Sequence, residues 1–197
     1  MILPTRFMYH VNARPYYNYD FMRGFVKIFM DLMKIQERES GLGAEHPLWD
    51  RLQNVLVLFF FAALFTDGLS SIYFGRSTVL ASVLSFPILI LPALFFFAFG
   101  IYLAKESHKT IFTRNGRPSF IDFGVYSHLR HPMYLGGLLI LLGILFAEFS
   151  IIAFVAWMVL FIACDWMATY EEKDLVRTLG EEYINYQKKV PKWFPKF

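Results

Sequence analysis

From Ser77 to Ala104 the chain runs 28 residues without a charged side chain. As a helix rising ~1.5 Å per residue this segment spans about 42 Å, against a bilayer hydrocarbon core of roughly 30 Å. A segment of that length and polarity predicts a membrane-spanning helix, which fixes the solvent the rest of the chain must fold in. Pro87 and Pro92 interrupt it and predict a kink whose freed carbonyls are satisfied by neighbouring helices. Composition agrees, with 56% apolar and 18% charged residues, where soluble domains average about a quarter charged.

Three further segments follow the same logic. Leu52 to Thr66 is free of charge, and continuation past Asp67 into Gly68–Tyr73 predicts a second span. Met133–Ala147 and Phe149–Cys164 are apolar runs separated only by Glu148. Together they are too long for one helix and predict a tight helical hairpin, with Glu148 and Ser150 marking a polar turn at the far membrane surface. Phe21–Ile35 carries Arg23, Lys27, Asp31 and Lys34 along one stripe and Phe25, Ile28, Phe29 and Leu32 between them. It reads as a basic amphipathic helix lying in the interface; turned inward, the stripe would make it a fifth span. The expected fold is therefore an all-α polytopic bundle of four spans, or five, with an N-terminal interfacial region over residues 1–51 and one membrane domain over 52–197. No internal repeat divides the chain.

Charge distribution adds an orientation. Of 19 basic residues, seven lie up to Arg51, five from Lys105 to Arg130 and six from Asp165 onward, leaving only Arg76 apart. This is a strong positive-inside pattern, and it predicts that both termini and the loop from Lys105 to Pro132 face the cytoplasm. Arg6, His10 and Arg14 interrupt Met1–Tyr17, so no cleaved leader is expected. The net charge of +3 is small and scattered, which argues against nucleic-acid binding. A single cysteine, Cys164, excludes an internal disulfide and a cysteine-ligated zinc site, and no metal is expected.

Two stretches on the expected cytoplasmic side carry the polar chemistry. The first, Arg130-His131-Pro132-x-Tyr134-x-Gly136-Gly137, ends where a span begins. Pro132 suits the first turn of that helix, so Arg130 and His131 fall beside unpaired backbone N–H groups, a setting suited to anions. The plainer alternative is interfacial anchoring, with Gly136 and Gly137 as small residues that let helices approach. The second stretch places the carboxylate pair Glu171-Glu172 after a span and continues through Leu175, Leu179, Gly180, Tyr183, Tyr186 and Val190-Pro191. Leu175, Leu179, Tyr183 and Tyr186 share a helix face, as a solvated amphipathic tail would; such a tail leaves the acidic pair unexplained.

Taken together, the two motifs in this order and spacing resemble the isoprenylcysteine carboxyl methyltransferase family, over about residues 115–195. Phospholipid N-methyltransferases and some membrane sterol reductases share a looser version. The resemblance implies a site for S-adenosyl-L-methionine, released as S-adenosyl-L-homocysteine, covered by the C-terminal cytoplasmic helix. Carried over to this chain, Tyr126, His131, Pro132, Met133 and Tyr134 would line the cofactor pocket, with backbone from Pro118, Ser119, Phe120 and Ile121. Glu171 would bind the cofactor's amino-acid part, and Arg130 would offset the cofactor carboxylate or orient an acceptor carboxylate. Arg130 and Glu171 are the expected catalytic residues.

The expected reaction is methyl transfer to a lipophilic acceptor, foremost the carboxylate of a prenylated cysteine, which is ionised at neutral pH and needs no base. Catalysis then rests on alignment and exclusion of water. One feature departs from the pattern: relatives acting on prenylcysteine tend to carry an arginine shortly before the acidic pair, and Asp165–Tyr170 has no cation. The rival acceptor is an amine or thiol on a phospholipid or small hydrophobic molecule, for which Glu172, His128 or Tyr134 would serve as base. A transporter or scaffold is the non-enzymatic alternative, and it would call for polar residues within spans or repeated halves. The host membrane is expected to be a prokaryotic cell membrane or the endoplasmic reticulum.

Overall fold

The computed structural model describes residues 48–74, 86–112, 120–148 and 150–194. The chain divides into two units, Met1–Lys34 and Ile35–Phe197, and every described residue lies in the second. The amphipathic segment Phe21–Ile35, the side chain of Glu148, and Pro118 and Ser119 lie outside the described residues.

Five α-helices account for almost all of what is described, and no strand occurs among the described residues: α1 Trp49–Phe74, α2 Phe86–Phe112, α3 Pro132–Glu148, α4 Ile151–Leu179 and α5 Glu181–Lys189. Stretches of α1, α2 and α4 are long and apolar enough to cross a membrane, and α3 is apolar but shorter. The described part of the first predicted span begins at Phe86, with Pro92 inside the helix.

Three details differ from the sequence reading. The predicted loop beginning at Lys105 is helical as far as Phe112. There the Ser107 and Thr110 hydroxyls donate to the carbonyls of Leu103 and Glu106 at 2.6 and 2.7 Å, and Lys109 lies 3.9 Å from Glu106 one turn back. The arm expected to end at Cys164 continues as a single helix of 29 residues to Leu179, carrying the acidic pair with it. It stops at Gly180, whose φ of 58° is open to glycine and strained for other residues. Third, the hairpin connection is short, but the closest partner of α3 is α2 rather than α4.

The reason is a seam of small residues. A Cβ on Gly100 would lie 2.7 Å from both the Gly136 carbonyl oxygen and the Ile140 nitrogen, and one on Gly143 would lie 2.7 Å from the Ala93 oxygen and the Phe97 nitrogen. Gly136 meets the Ala104 nitrogen at 3.0 Å in the same sense. Rising numbers on α3 meet falling numbers on α2, so the pair is antiparallel with backbone against backbone. Close approach of this kind is how apolar helices gain dispersion where no water is displaced. Gly137 has nothing within 4 Å of its would-be Cβ, so only the first glycine of the Gly136-Gly137 pair belongs to the seam.

α4 instead packs on α1. At one end Ser150 caps α4, its hydroxyl accepting the Ala153 N–H at 3.2 Å and donating to the buried Asp67 of α1 at 2.6 Å. α3 and α4 are tied by the Trp157 indole, which donates to the Leu138 carbonyl at 2.8 Å. Seventeen residues of α3 rise about 25 Å. Counted back down α4 from Ile151, that rise ends near Met167, so Glu171 and Glu172 project one turn further and meet the residues that precede α3.

Candidate active site

At that end four elements converge. The short 3₁₀ turn Gly124–Ser127 leads into Arg130 and His131, and Pro132 opens α3 as its first residue. Glu171 and Glu172 are both buried on α4. Adjacent helical residues diverge by about 100°, so one carboxylate cannot duplicate the other's contacts.

Glu172 gathers donors. His131 Nε2 lies 2.9 Å and Arg130 Nε 3.2 Å from its Oε1, and Gln187 of α5 donates to its Oε2 at 3.0 Å. Glu171 accepts the Tyr134 hydroxyl in a short hydrogen bond, and its Oε2 faces His131 Nδ1 at 3.6 Å. The imidazole lies parallel to the Tyr134 ring, centroids 5.8 Å apart, and against Trp193 at 6.0 Å. Burial pushes His131 below the usual histidine range, opposed by its hydrogen bond to Glu172. In the neutral ring the Nε2–H is assigned to Glu172 by its partner, leaving Nδ1 as a basic nitrogen beside Glu171.

The C-terminal strap covers this cluster. Arg130 N–H donates to the Pro191 carbonyl at 3.0 Å. The Lys192 ammonium is held by Asp165 Oδ1 at 2.6 Å, the Asp165 carbonyl at 2.9 Å and Thr169 Oγ1 at 2.7 Å, which engages all three of its hydrogens. The Trp193 indole donates to the same Asp165 carboxylate at 2.7 Å. Beneath the strap, Phe120, Tyr183, Tyr186 and Val190 form one apolar cluster with Leu175 and Leu179 against it, so the face read from the sequence persists across the Gly180 break. Tyr186 donates its hydroxyl to the Tyr126 carbonyl at 2.6 Å, fixing the 3₁₀ turn to α5.

Among the expected site residues, Arg130, His131, Tyr134 and Glu171 come together directly. Tyr126 and Ile121 are buried beside Ile111, with Met133 packed on them; burial and then the charge of Glu171 push the Tyr126 phenol well above its ordinary range. Phe120 turns the other way, toward α5. His128, one of the expected bases, is exposed and pairs with the neighbouring Ser127 hydroxyl at 2.9 Å. Sequence reasoning missed Gln187, Lys192, Trp193 and Trp49. The last packs edge-on against Tyr134 at 5.8 Å, and its only sequence signal was a tryptophan at the mouth of a span. Among the described residues no cluster of three or more His, Cys, Asp or Glu could hold a metal ion.

Residues 88–182, which include α3 and the acidic pair, match the family model of phospholipid methyltransferases, part of the isoprenylcysteine carboxyl methyltransferase-like group of membrane methyltransferases. No protein of curated function matches the chain.

Proposed function

We propose that this chain, whose residues 88–182 match the phospholipid methyltransferase family model, methylates an amine on a lipid headgroup, with S-adenosylmethionine as the donor. When bound, S-adenosylmethionine supplies a methyl on a cationic sulfur, with an ammonium and a carboxylate at its amino-acid end. The residues present suit it. Glu171, buried and oriented by Tyr134, would hold the ammonium; the Arg130 guanidinium, which lies beside Glu172 through its Nε, would take the carboxylate. His131, Pro132, Met133, Tyr134 and Tyr126, with backbone of Pro118, Ser119, Phe120 and Ile121, would enclose the rest.

The observation that carries the choice of acceptor is the state of the two cations. Lys192 returns to the very stretch that lacked a cation in sequence, but its three hydrogens are taken by Asp165 and Thr169. Arg130 is already beside Glu172. Three carboxylates thus face two permanent cations, an excess of one negative charge that suits a cofactor of net positive charge. A carboxylate acceptor would bring a further negative charge with no cation left to meet it, and burying an uncompensated charge is costly. An amine nitrogen brings no negative charge to the reacting position itself, the headgroup phosphate being set apart from it by the ethylene linker, and His131 Nδ1 is a buried basic atom able to hold the proton that the amine loses. The strap over the cluster would exclude water.

The site is proposed to face the cytoplasm, because eighteen of the nineteen basic residues fall on that side of the expected spans. The deciding experiment is turnover by detergent-purified protein, read as S-adenosylhomocysteine release, with phosphatidylethanolamine against a prenylated cysteine analogue bearing a free carboxylate. Turnover of the amine lipid alone is expected. Turnover of the prenylcysteine alone would return the acceptor to a carboxylate and give Arg130 the task of holding it.

A further inference from the structure

Trp49, the first residue of α1, is only 1% exposed, and its indole N–H has no hydrogen-bond partner among the described residues. Two other indoles in this fold are paired, Trp157 to the Leu138 carbonyl and Trp193 to the Asp165 carboxylate. A buried donor without an acceptor pays its full desolvation cost, which is why such groups are rare and usually mark something.

Its place in the bundle says what. Asp67 of α1 and Ser150 at the head of α4 are bonded to each other at the opposite end. Trp49 lies 18 residues before Asp67, about 27 Å along α1, and Glu171 lies 21 residues after Ser150, about 31 Å along α4. The two therefore reach the same level, and the Trp49 ring sits edge-on to Tyr134, the residue that donates to Glu171. Beyond it, Leu52, Val55 and Phe59 leave an exposed apolar path along α1.

We infer that Trp49 is a substrate-binding residue, its Nε1–H donating to an anionic oxygen of a bound substrate. This inference rests on the methyltransferase reading above. The oxygen belongs either to the phosphate of the lipid headgroup or to the carboxylate of the cofactor. The phosphate is favoured, because Trp49 lies outside the matched segment and beside the lipid-exposed face of α1.

Trp49→Phe keeps the ring against Tyr134 and removes only the donor. S-adenosylhomocysteine affinity by titration, KM for phosphatidylethanolamine in detergent micelles, and thermal unfolding of the ligand-free protein are compared with the unaltered protein. With phosphate as the source, KM for the lipid rises roughly 10- to 150-fold, the range for a lost hydrogen bond to a charged group, and the titration is unchanged. With the cofactor carboxylate as the source, the titration weakens by that factor instead. In both cases the ligand-free melting point holds or rises, since the variant no longer buries an unpaired donor. Unchanged affinity and KM, or losses accompanied by a lowered ligand-free melting point, overturn the inference and make Trp49 a packing residue. If the unaltered protein itself fails to bind S-adenosylhomocysteine, the methyltransferase reading falls, and this assignment with it.

Discussion

α3 takes part in two interfaces held by opposite means. Along most of its length it meets α2 across Gly100, Gly136 and Gly143, where backbone touches backbone and there is no room for a side chain. At its N-terminal end it meets α4 and the C-terminal strap through Arg130 and His131, which precede the helix, and Tyr134 in its first turn, by hydrogen bonds and ion pairs. The seam satisfies itself; nothing in it reaches outward. The polar cluster has a donor to spare, since the Trp49 indole is buried without a hydrogen-bond partner among the described residues. Fit without surplus gives stability, and surplus hydrogen-bonding capacity at a buried site gives a place to bind. The division can be broken by substitutions that move one property and leave the other.

The largest effect is expected at the seam. Gly100→Val places its Cβ against backbone atoms 2.7 Å away, which have no rotamer to yield. Overpacking typically costs about 1–3 kcal/mol where side chains can shift, so a larger loss is expected here, seen as failure to recover monodisperse protein in detergent. Gly137→Ala is the control. With nothing within 4 Å, it should be neutral or stabilise by up to ~1 kcal/mol through helix propensity. Equal damage from both would mean that α3 is not seated on α2 as described.

Next come the two carboxylates, which the comparison separates from each other. Glu172→Ala leaves Arg130, His131 and Gln187 without their common acceptor, and removing one partner of a buried ion pair costs roughly 3–5 kcal/mol. Both melting temperature and S-adenosylhomocysteine affinity should fall. Glu171→Gln retains an acceptor for Tyr134 and should weaken binding by about 10- to 150-fold while the melting temperature stays close to that of the unaltered protein. If Glu171→Gln alone destabilises the protein, the roles are reversed and Glu171 is the structural member of the pair.

The seam and the cluster were not equally legible in the sequence. Spans could be read because charge-free length is a one-dimensional property, and Arg130, His131, Tyr134 and Glu171 could be read because they stand in fixed local order. Gly136 and Gly137 could not be told apart, since which one meets α2 depends on helix rotation, and periodicity is weak in a helix apolar on all sides. Lys192 was invisible for another reason: it fills the gap before Glu171 only because the chain turns at Gly180, returns along α5 and lays Pro191–Trp193 across α4. The C-terminal helix is for the same reason half buried, where a solvated amphipathic tail would stand in water. Glu172 was weighed only as a base, because adjacency in sequence conceals that two neighbouring carboxylates face different partners.

The smallest effect sharpens the contrast from the far end of α4. Ser150 and Asp67 are as buried as Glu171 and Glu172, yet the Ser150 hydroxyl is already engaged, donating to Asp67 while capping the helix through the Ala153 N–H. A polar pair of this kind can position helices without leaving capacity for a ligand. Ser150→Ala removes the cap, worth typically about 1 kcal/mol, and the donor to a buried carboxylate besides. A melting point lowered by a few degrees is expected, with S-adenosylhomocysteine affinity and lipid KM both unchanged. If instead binding weakens while stability holds, the Asp67 end communicates with the cluster along α1 and α4. The two ends would then have to be treated as one site.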